Sequence, residues 1–182
     1  MISTIECLTS LRSKGAEISV ISVPREVLID CRGSQVTDNE LRGICAISDL
    51  THLWLEGCAV SEVAVGALCT HLRLQYLDIG HSNCDGIILR QLSRIASLEG
   101  ICLAGLDHVS VNLKYFFGHP KLDRINFSET DVTTKDIKQL ISRSVVTGLI
   151  LSDTKVVESD LREFLENIKD DARTIFLDFA RR

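Results

Sequence analysis

The chain contains 182 residues, of which 45% are hydrophobic and 25% are charged, and its formal net charge is −5. This composition is typical of a globular domain with a hydrophobic core and argues against intrinsic disorder. The acidic balance gives no general attraction to nucleic acid or to an anionic membrane, so we expect neither as a partner. No apolar run approaches the roughly 18–20 residues that a membrane-spanning helix needs.

The N-terminal segment, residues 1–26, predicts a helix followed by a short strand. Apolar residues at helical spacing between Ser3 and Lys14 predict the helix, and Gly15 provides a C-cap. Charged residues interrupt this helix, so we expect no signal peptide. Residues 17–23 then alternate between apolar and polar side chains, as a strand does. We interpret the segment as a cap over the open end of the structure that follows.

A period of 24 residues begins near Val27 and covers most of the remaining chain. Stepping by 24 residues gives columns of apolar side chains: Leu50, Leu74, Leu98, Leu122 and Val146; Leu53, Leu77, Ile101, Ile125 and Leu149; Leu55, Ile79, Leu103, Phe127 and Leu151. Agreement over several columns and five successive units indicates an internal repeat. We assign six units to residues 27–169. After a slip of two residues, residues 170–182 form a C-terminal strand and cap around Ile175 and Leu177.

Each unit has two halves with different periods. The first half alternates as a half-buried strand does, and the second half has apolar residues at helical spacing. Residues Thr37–Glu40 have the sequence of a capping box, and five later residues are expected to cap helices: Ser61, Asp85, Ser110, Thr134 and Ser159. Neither half can bury its apolar face alone, so we expect the units to stack with strands on one side and helices on the other.

The pattern L-x-x-L-x-L-x-x-C/T-x-V, as in Leu50–Val60, resembles the leucine-rich repeat family over nearly the whole chain. The repeat length and the phrase AVGALC are similar to bacterial repeats of the GALA kind, although most of their glycine pattern is missing. The resemblance implies an α/β fold: a short right-handed solenoid, or horseshoe, with parallel strands on the concave face and helices on the convex face. It implies no chemistry, because the family serves mainly in protein–protein recognition.

Seven cysteines with no C-x-x-C pair indicate reduced thiols, and hence a cytoplasmic protein. Cys102 is expected to be exposed on a strand, which makes it a candidate reactive thiol, whereas His108 is expected to point inward as a neutral core histidine. Four further residues resemble a metal-ligand set but fall on different sides of the repeat: Cys69, His71, His81 and Cys84. No nucleotide-binding or hydrolase motif occurs. We therefore expect no enzymatic activity, no cofactor and no metal.

The residues between the buried leucines of each strand face outward, and they form the predicted binding surface. We expect a protein partner, of unknown identity, to contact a set of eight residues: Asp30, Arg32, His52, Trp54, Glu56, Tyr76, Asp78 and Arg124. Trp54 and Tyr76 are the expected anchors, because aromatic side chains dominate binding energy at interfaces. The alternative is that Trp54 only packs against its neighbours Tyr76 and His52. Small residues, such as Gly100, leave the C-terminal half of this surface with little for a partner to contact.

Two functions are consistent with such a surface. The first is a non-catalytic protein-binding module. The second is a structural or self-associating subunit of a larger assembly, in which apolar residues at the open end, such as Phe176 and Phe179, would form the contact. We therefore expect either a monomer or a weak homo-oligomer.

Overall fold

A computed structural model describes residues 4–168 and 174–180. The strands in these ranges are β1 (Glu17–Ser22), β2 (Arg25–Asp30), β3 (Leu50–Trp54), β4 (Tyr76–Asp78), β5 (Gly100–Cys102), β6 (Arg124–Asn126), β7 (Gly148–Ile150) and β8 (Phe176–Asp178). The α-helices are α1 (Thr4–Ser13), α2 (Asp38–Ile44), α3 (Glu62–Gly66), α4 (Leu89–Leu92), α5 (Val109–Asn112), α6 (Thr134–Arg143) and α7 (Glu158–Asn167). Short 3₁₀ segments cover Ala67–Thr70, Gly86–Ile88 and Leu113–Phe116.

The eight strands form one sheet in chain order, in which β1 is antiparallel to β2 and every later pair is parallel. The α/β class predicted from the sequence is therefore confirmed. From β3 to β7, each residue pairs with the residue 24 positions later, as Leu53 does with Leu77. At the last strand Leu149 pairs with Leu177, so the predicted slip of two residues is wrong. The slip is four residues, because eight residues separate the end of α7 from β8, whereas four separate the end of α6 from β7.

The core lies behind the sheet and takes one central side chain from each short strand. Leu53, Leu77 and Ile101 are at most 2% exposed, and the helices supply further fully buried side chains such as Leu68 and Phe116. Burying a side chain of this size contributes about 1.5–3 kcal/mol. Because residues alternate along a strand, the burial of each central residue turns its two neighbours to the opposite face.

The chain leaves each strand through a turn with left-handed backbone geometry. Six residues spaced by 24 share this geometry: Gly33 (φ 71°), Gly57 (φ 69°), His81 (φ 50°), Gly105 (φ 69°), Glu129 (φ 57°) and Asp153 (φ 53°). A side chain makes such a conformation unfavourable by about 1–2 kcal/mol, and glycine avoids that cost. The turn is therefore strained at His81, Glu129 and Asp153, where the sequence lacks glycine.

Half of the predicted helix caps are found where they were expected. Thr37 and Glu40 form a reciprocal capping box, and the side chains of Ser61 and Asp85 each accept a backbone N–H bond at the start of a helical segment. The caps predicted at three other residues are wrong: Ser110, Thr134 and Ser159. The cap positions are instead His108, Thr133 and Val157. Thr133 and Val157 keep the 24-residue spacing from Ser61 and Asp85, and the predicted residues were chosen one or two positions too late for their polar side chains.

His108 was predicted to face inward in the core, but the structure places its side chain on the surface. Its backbone has a φ of 53°, its side chain is 68% exposed, and its Nδ1 lies 2.6 Å from Asp85 Oδ2. The hydrogen bond to Asp85 raises the pKa of His108 above its ordinary value. Val109, which is fully buried, takes the inward position, so the pattern is shifted by one residue in this unit.

Residues 1–26 contain the predicted helix and strand, as α1 and β1. Although burial raises the pKa of Glu40 in α2, hydrogen bonds from Lys14, Ser10 and Thr37 outweigh it and lower that pKa to about 2. Lys14 Nζ lies 2.7 Å from Glu40, and Ser10 Oγ donates to it at 2.6 Å, so a buried carboxylate joins α1 to α2. The predicted start of the helix at Ser3 and part of the C-terminal cap, 170–173 and 181–182, lie outside the described residues. None of the helices within the described ranges is long and apolar enough to cross a bilayer.

The strained turn at Glu129 predicts that Glu129→Gly raises the free energy of unfolding by about 0.5 kcal/mol, because glycine removes the steric conflict but is more flexible when unfolded. Urea unfolding measures this change. The same substitution in the middle of α7, Glu163→Gly, is the matched control and should lower stability by about 1 kcal/mol. Equal destabilisation by both variants would contradict the assignment of strain to the turn.

Candidate interaction surface

The outward residues of β2–β8 and the residue just beyond each strand form three rows, which we call the strand face. The first row holds Leu28, His52, Tyr76, Gly100, Arg124, Gly148 and Phe176. The second row holds Asp30, Trp54, Asp78, Cys102, Asn126, Ile150 and Asp178. The third row, two residues further along each chain segment, holds Arg32, Glu56, Gly80, Ala104, Ser128 and Ser152. The sheet register therefore places the predicted site residues in the predicted rows.

His52, Trp54 and Tyr76 form an aromatic cluster on this face. The ring centroids of His52 and Trp54 lie 5.7 Å apart, those of Trp54 and Tyr76 5.7 Å apart, and those of His52 and Tyr76 6.2 Å apart. Each ring is partly exposed. The three rings therefore pack against one another and still leave part of their surface accessible to a partner. Thr51 Oγ1 lies 3.0 Å from His52 Nδ1 and fixes that ring. Burial, followed by the nearby Asp78 carboxylate, raises the pKa of Tyr76 to about 12.

Asp30 and Arg32 form a two-point ion pair beside the aromatic cluster. The Nε and Nη2 atoms of Arg32 donate to the carboxylate at 3.1 and 2.6 Å. This side-chain hydrogen bond is the largest cause that lowers the pKa of Asp30 below its ordinary value. The pair leaves little uncompensated charge at this end of the strand face.

Asp78 occupies its predicted row, but the prediction that it is exposed is wrong. The residue is only 6% exposed, and its carboxylate lies in a closely packed group with Gly80, Cys102 and Ala104. Burial is the largest cause that raises the pKa of Asp78, and the nearby Glu56 carboxylate acts in the same direction. Asp78 therefore places a carboxylate directly beside Trp54, its partner across β3 and β4, without an ion pair of its own among the described residues.

After every second strand, the side chain of the second-row residue closes a turn of the backbone. The Oδ1 atoms of four residues each accept the backbone N–H two residues later: Asp30 at 2.9 Å, Asp78 at 2.9 Å, Asn126 at 2.9 Å and Asp178 at 2.8 Å. Asn126 makes this bond with a neutral carboxamide. The turn therefore requires an oxygen acceptor and not a charge. The sequence signal for this motif is an Asp or Asn in the second row of every second repeat unit.

Cys102 was predicted to be an exposed, reactive thiol, but the structure buries it. It is 6% exposed, and burial followed by the negative charge of Asp78 raises its pKa to about 12. A reactive cysteine needs a stabilised thiolate, which these surroundings disfavour. A hydrogen bond with the Asp78 side chain further raises the pKa of the thiol and acts to lower that of Asp78.

The four residues that resemble a metal-ligand set have different surroundings. His71 is buried with its Nε2 2.8 Å from the Ile47 carbonyl oxygen, whereas His81 is exposed in a turn. Cys84 is buried in the core and Cys69 is half-buried. In the ranges 4–168 and 174–180, no three His, Cys, Asp or Glu residues are grouped so that they could hold a metal ion.

The C-terminal half of the strand face contains a groove of about 300 Å³. Its borders include Tyr76, Arg124, Ile150 and Phe176. A Cβ atom at Gly100 would lie 2.8 Å from the Tyr76 ring, so the glycine lets this ring extend over β5. The side chain of Arg124 is 79% exposed, and its nearest ion pair is a 3.6 Å contact with Asp123. Sequence reasoning missed the groove, although glycines alternating with large residues in the first row could have indicated it.

No protein-family model matches the chain, and no curated protein is similar to it in sequence at a significant level.

We predict that Asp78→Asn raises the free energy of unfolding at neutral pH by on the order of 1 kcal/mol, because the amide keeps the turn and removes a buried charge. A carboxyl group whose pKa is raised by folding destabilises the folded state above that pKa, and the penalty disappears below the unfolded value near 3.8. The advantage of the variant should therefore vanish as the pH falls to that value. Denaturant unfolding at several pH values measures both effects.

Asp30→Asn is the matched control, since it changes the same atom type in the same row and the same turn. Folding lowers the pKa of Asp30, so this variant should lose stability at neutral pH and the loss should shrink in acid. Parallel behaviour of the two variants would contradict the electrostatic description of Asp78.

Proposed function

We propose that the protein is a non-catalytic protein-binding module that presents the strand face to a partner protein, with Trp54 and Tyr76 as anchors. The observation that carries this proposal is the aromatic cluster, whose three rings are packed together and yet partly exposed. Side chains that are ordered before binding lose little conformational entropy when a partner docks. Tryptophan and tyrosine are also the residue types most often found at interface hot spots.

The same proposal includes the architecture implied by the repeat. The pairing of residues 24 positions apart and the recurrence of one turn geometry every 24 residues support a right-handed solenoid of the leucine-rich-repeat kind. In that arrangement the strand face is the concave surface. Seven cysteines without a disulfide among them support a reducing, cytoplasmic location. The buried, protonated thiol of Cys102 supports a binding function rather than thiol catalysis.

The test is affinity capture from the native cell with three forms of the protein as bait. We expect Trp54→Ala to weaken capture of the partner about tenfold or more, because loss of a central aromatic anchor typically costs 2 kcal/mol or more. Leu72→Ala is the matched control, because Leu72 is 88% exposed and lies outside the rows of the strand face. A partner retained equally by all three forms would refute the strand face as the binding surface.

Self-association is the second candidate, and the exposure of Phe176 favours it. Phe176 lies on the terminal strand and is 71% exposed, whereas Phe179 is partly buried against the core. Sedimentation velocity over a range of concentrations separates the candidates. A protein-binding module should remain monomeric, whereas self-association through this end should raise the sedimentation coefficient with concentration. Phe176→Ala should then abolish that rise.

A further inference from the structure

Uncompensated negative charge adjoins the aromatic cluster. The three rows of the strand face carry six charged side chains in the described ranges: Asp30, Arg32, Glu56, Asp78, Arg124 and Asp178. Arg32 is bound at both Nε and Nη2 by Asp30, and its charge also acts on Glu56 and Asp78. One guanidinium faces three carboxylates, so negative charge remains in excess. Glu56 follows Trp54 by two residues along the chain, and Asp78 is paired with Trp54 across the sheet.

The charge at Asp78 is not explained by the fold. Asn126 makes the same turn bond in the same row at the same distance of 2.9 Å, with no charge. Asp78 is 6% exposed and adds its charge close to that of Glu56, which makes the carboxylate unfavourable in the free protein. A ligand with a positive charge would compensate for the lost hydration of Asp78 and offset its repulsion by Glu56.

We propose that the partner contacts the aromatic cluster with an arginine side chain of a basic segment, held between the Trp54 ring and the carboxylates of Glu56 and Asp78. This inference rests on the proposed function of the strand face and specifies the chemistry of the partner. A guanidinium ion is planar, so its face can stack on an aromatic ring while the N–H groups along its edge donate to carboxylates. A lysine ammonium can also lie over a ring, but it is not planar and lacks the row of edge donors with which a guanidinium binds carboxylates while stacked.

Other occupants fit the charges of this site less well. A purely apolar segment would remove water from Glu56 and Asp78 without supplying a counterion, and burying an unpaired charge costs several kcal/mol. Phosphate groups of nucleic acids or anionic lipids would be repelled by the same two carboxylates. Charge complementarity therefore favours a basic polypeptide segment.

Trp54 is the only tryptophan of the chain, so its fluorescence reports on this site alone. The probe is a short synthetic peptide amide of alternating arginine and glycine, titrated into the full chain while tryptophan emission is recorded. We expect a saturable change in emission, weakened in about 0.5 M salt because such salt screens the ion pairs. A peptide in which glutamate replaces arginine should cause no change.

Glu56→Gln is the decisive variant, because it removes one carboxylate from a half-buried position just beyond β3, outside the hydrophobic core. It should weaken binding of the arginine peptide about fivefold to tenfold, in line with the loss of one ion pair of about 1 kcal/mol. Glu163→Gln, on the exposed side of α7, is the charge-matched control and should bind as the wild type does. No saturable response, or equal weakening by both variants, would overturn the arginine site.

The failures of the two proposals give different results. If Trp54→Ala abolishes capture of a partner but the arginine peptide does not bind, the strand face is an interface and the arginine inference is wrong. If the arginine peptide binds as expected but Trp54→Ala leaves every captured protein in place, the arginine site exists and the proposed anchoring function is wrong.

Discussion

Parallel pairing of strands in an unshifted register of 24 residues is the constraint on which the rest of the structure depends. Each short strand buries its central residue, as Leu53, Leu77 and Ile101 illustrate. Because a strand alternates its side chains, burial of the central residue fixes the two flanking residues on the opposite face. The aromatic cluster thus results from the core packing behind it.

The second row of the strand face shows how structural and surface roles are divided between alternate units. Asp30, Asp78, Asn126 and Asp178 supply the oxygen that closes the turn after every second strand. The strands between them carry no such acceptor, and their second-row positions are open to residues as different as Trp54, Cys102 and Ile150. Trp54 occupies one of these intervening positions, where no side-chain oxygen is used to close the turn.

The sequence was sufficient to predict features that recur with the period, and insufficient for features that depend on neighbours in space. Leu53 and Leu77 were assigned to the core correctly because every unit repeats that position. Cys102 was assigned to the correct row, but its exposure depends on the sizes of residues on adjacent strands. His108 was placed inward because a one-residue shift in the turn cannot be seen in an alignment of columns. The groove was missed for a related reason, since it depends on the missing side chain of Gly148 between larger residues of the neighbouring strands.

The shape of the aromatic cluster depends on Gly100, which is not part of the cluster. Its missing Cβ is what allows the Tyr76 ring to extend toward β6, away from Trp54 and His52. Any larger residue there would push the ring back and change the spacing of all three aromatic groups. The geometry of the three rings can thus be altered by substitution at a buried glycine on the neighbouring strand.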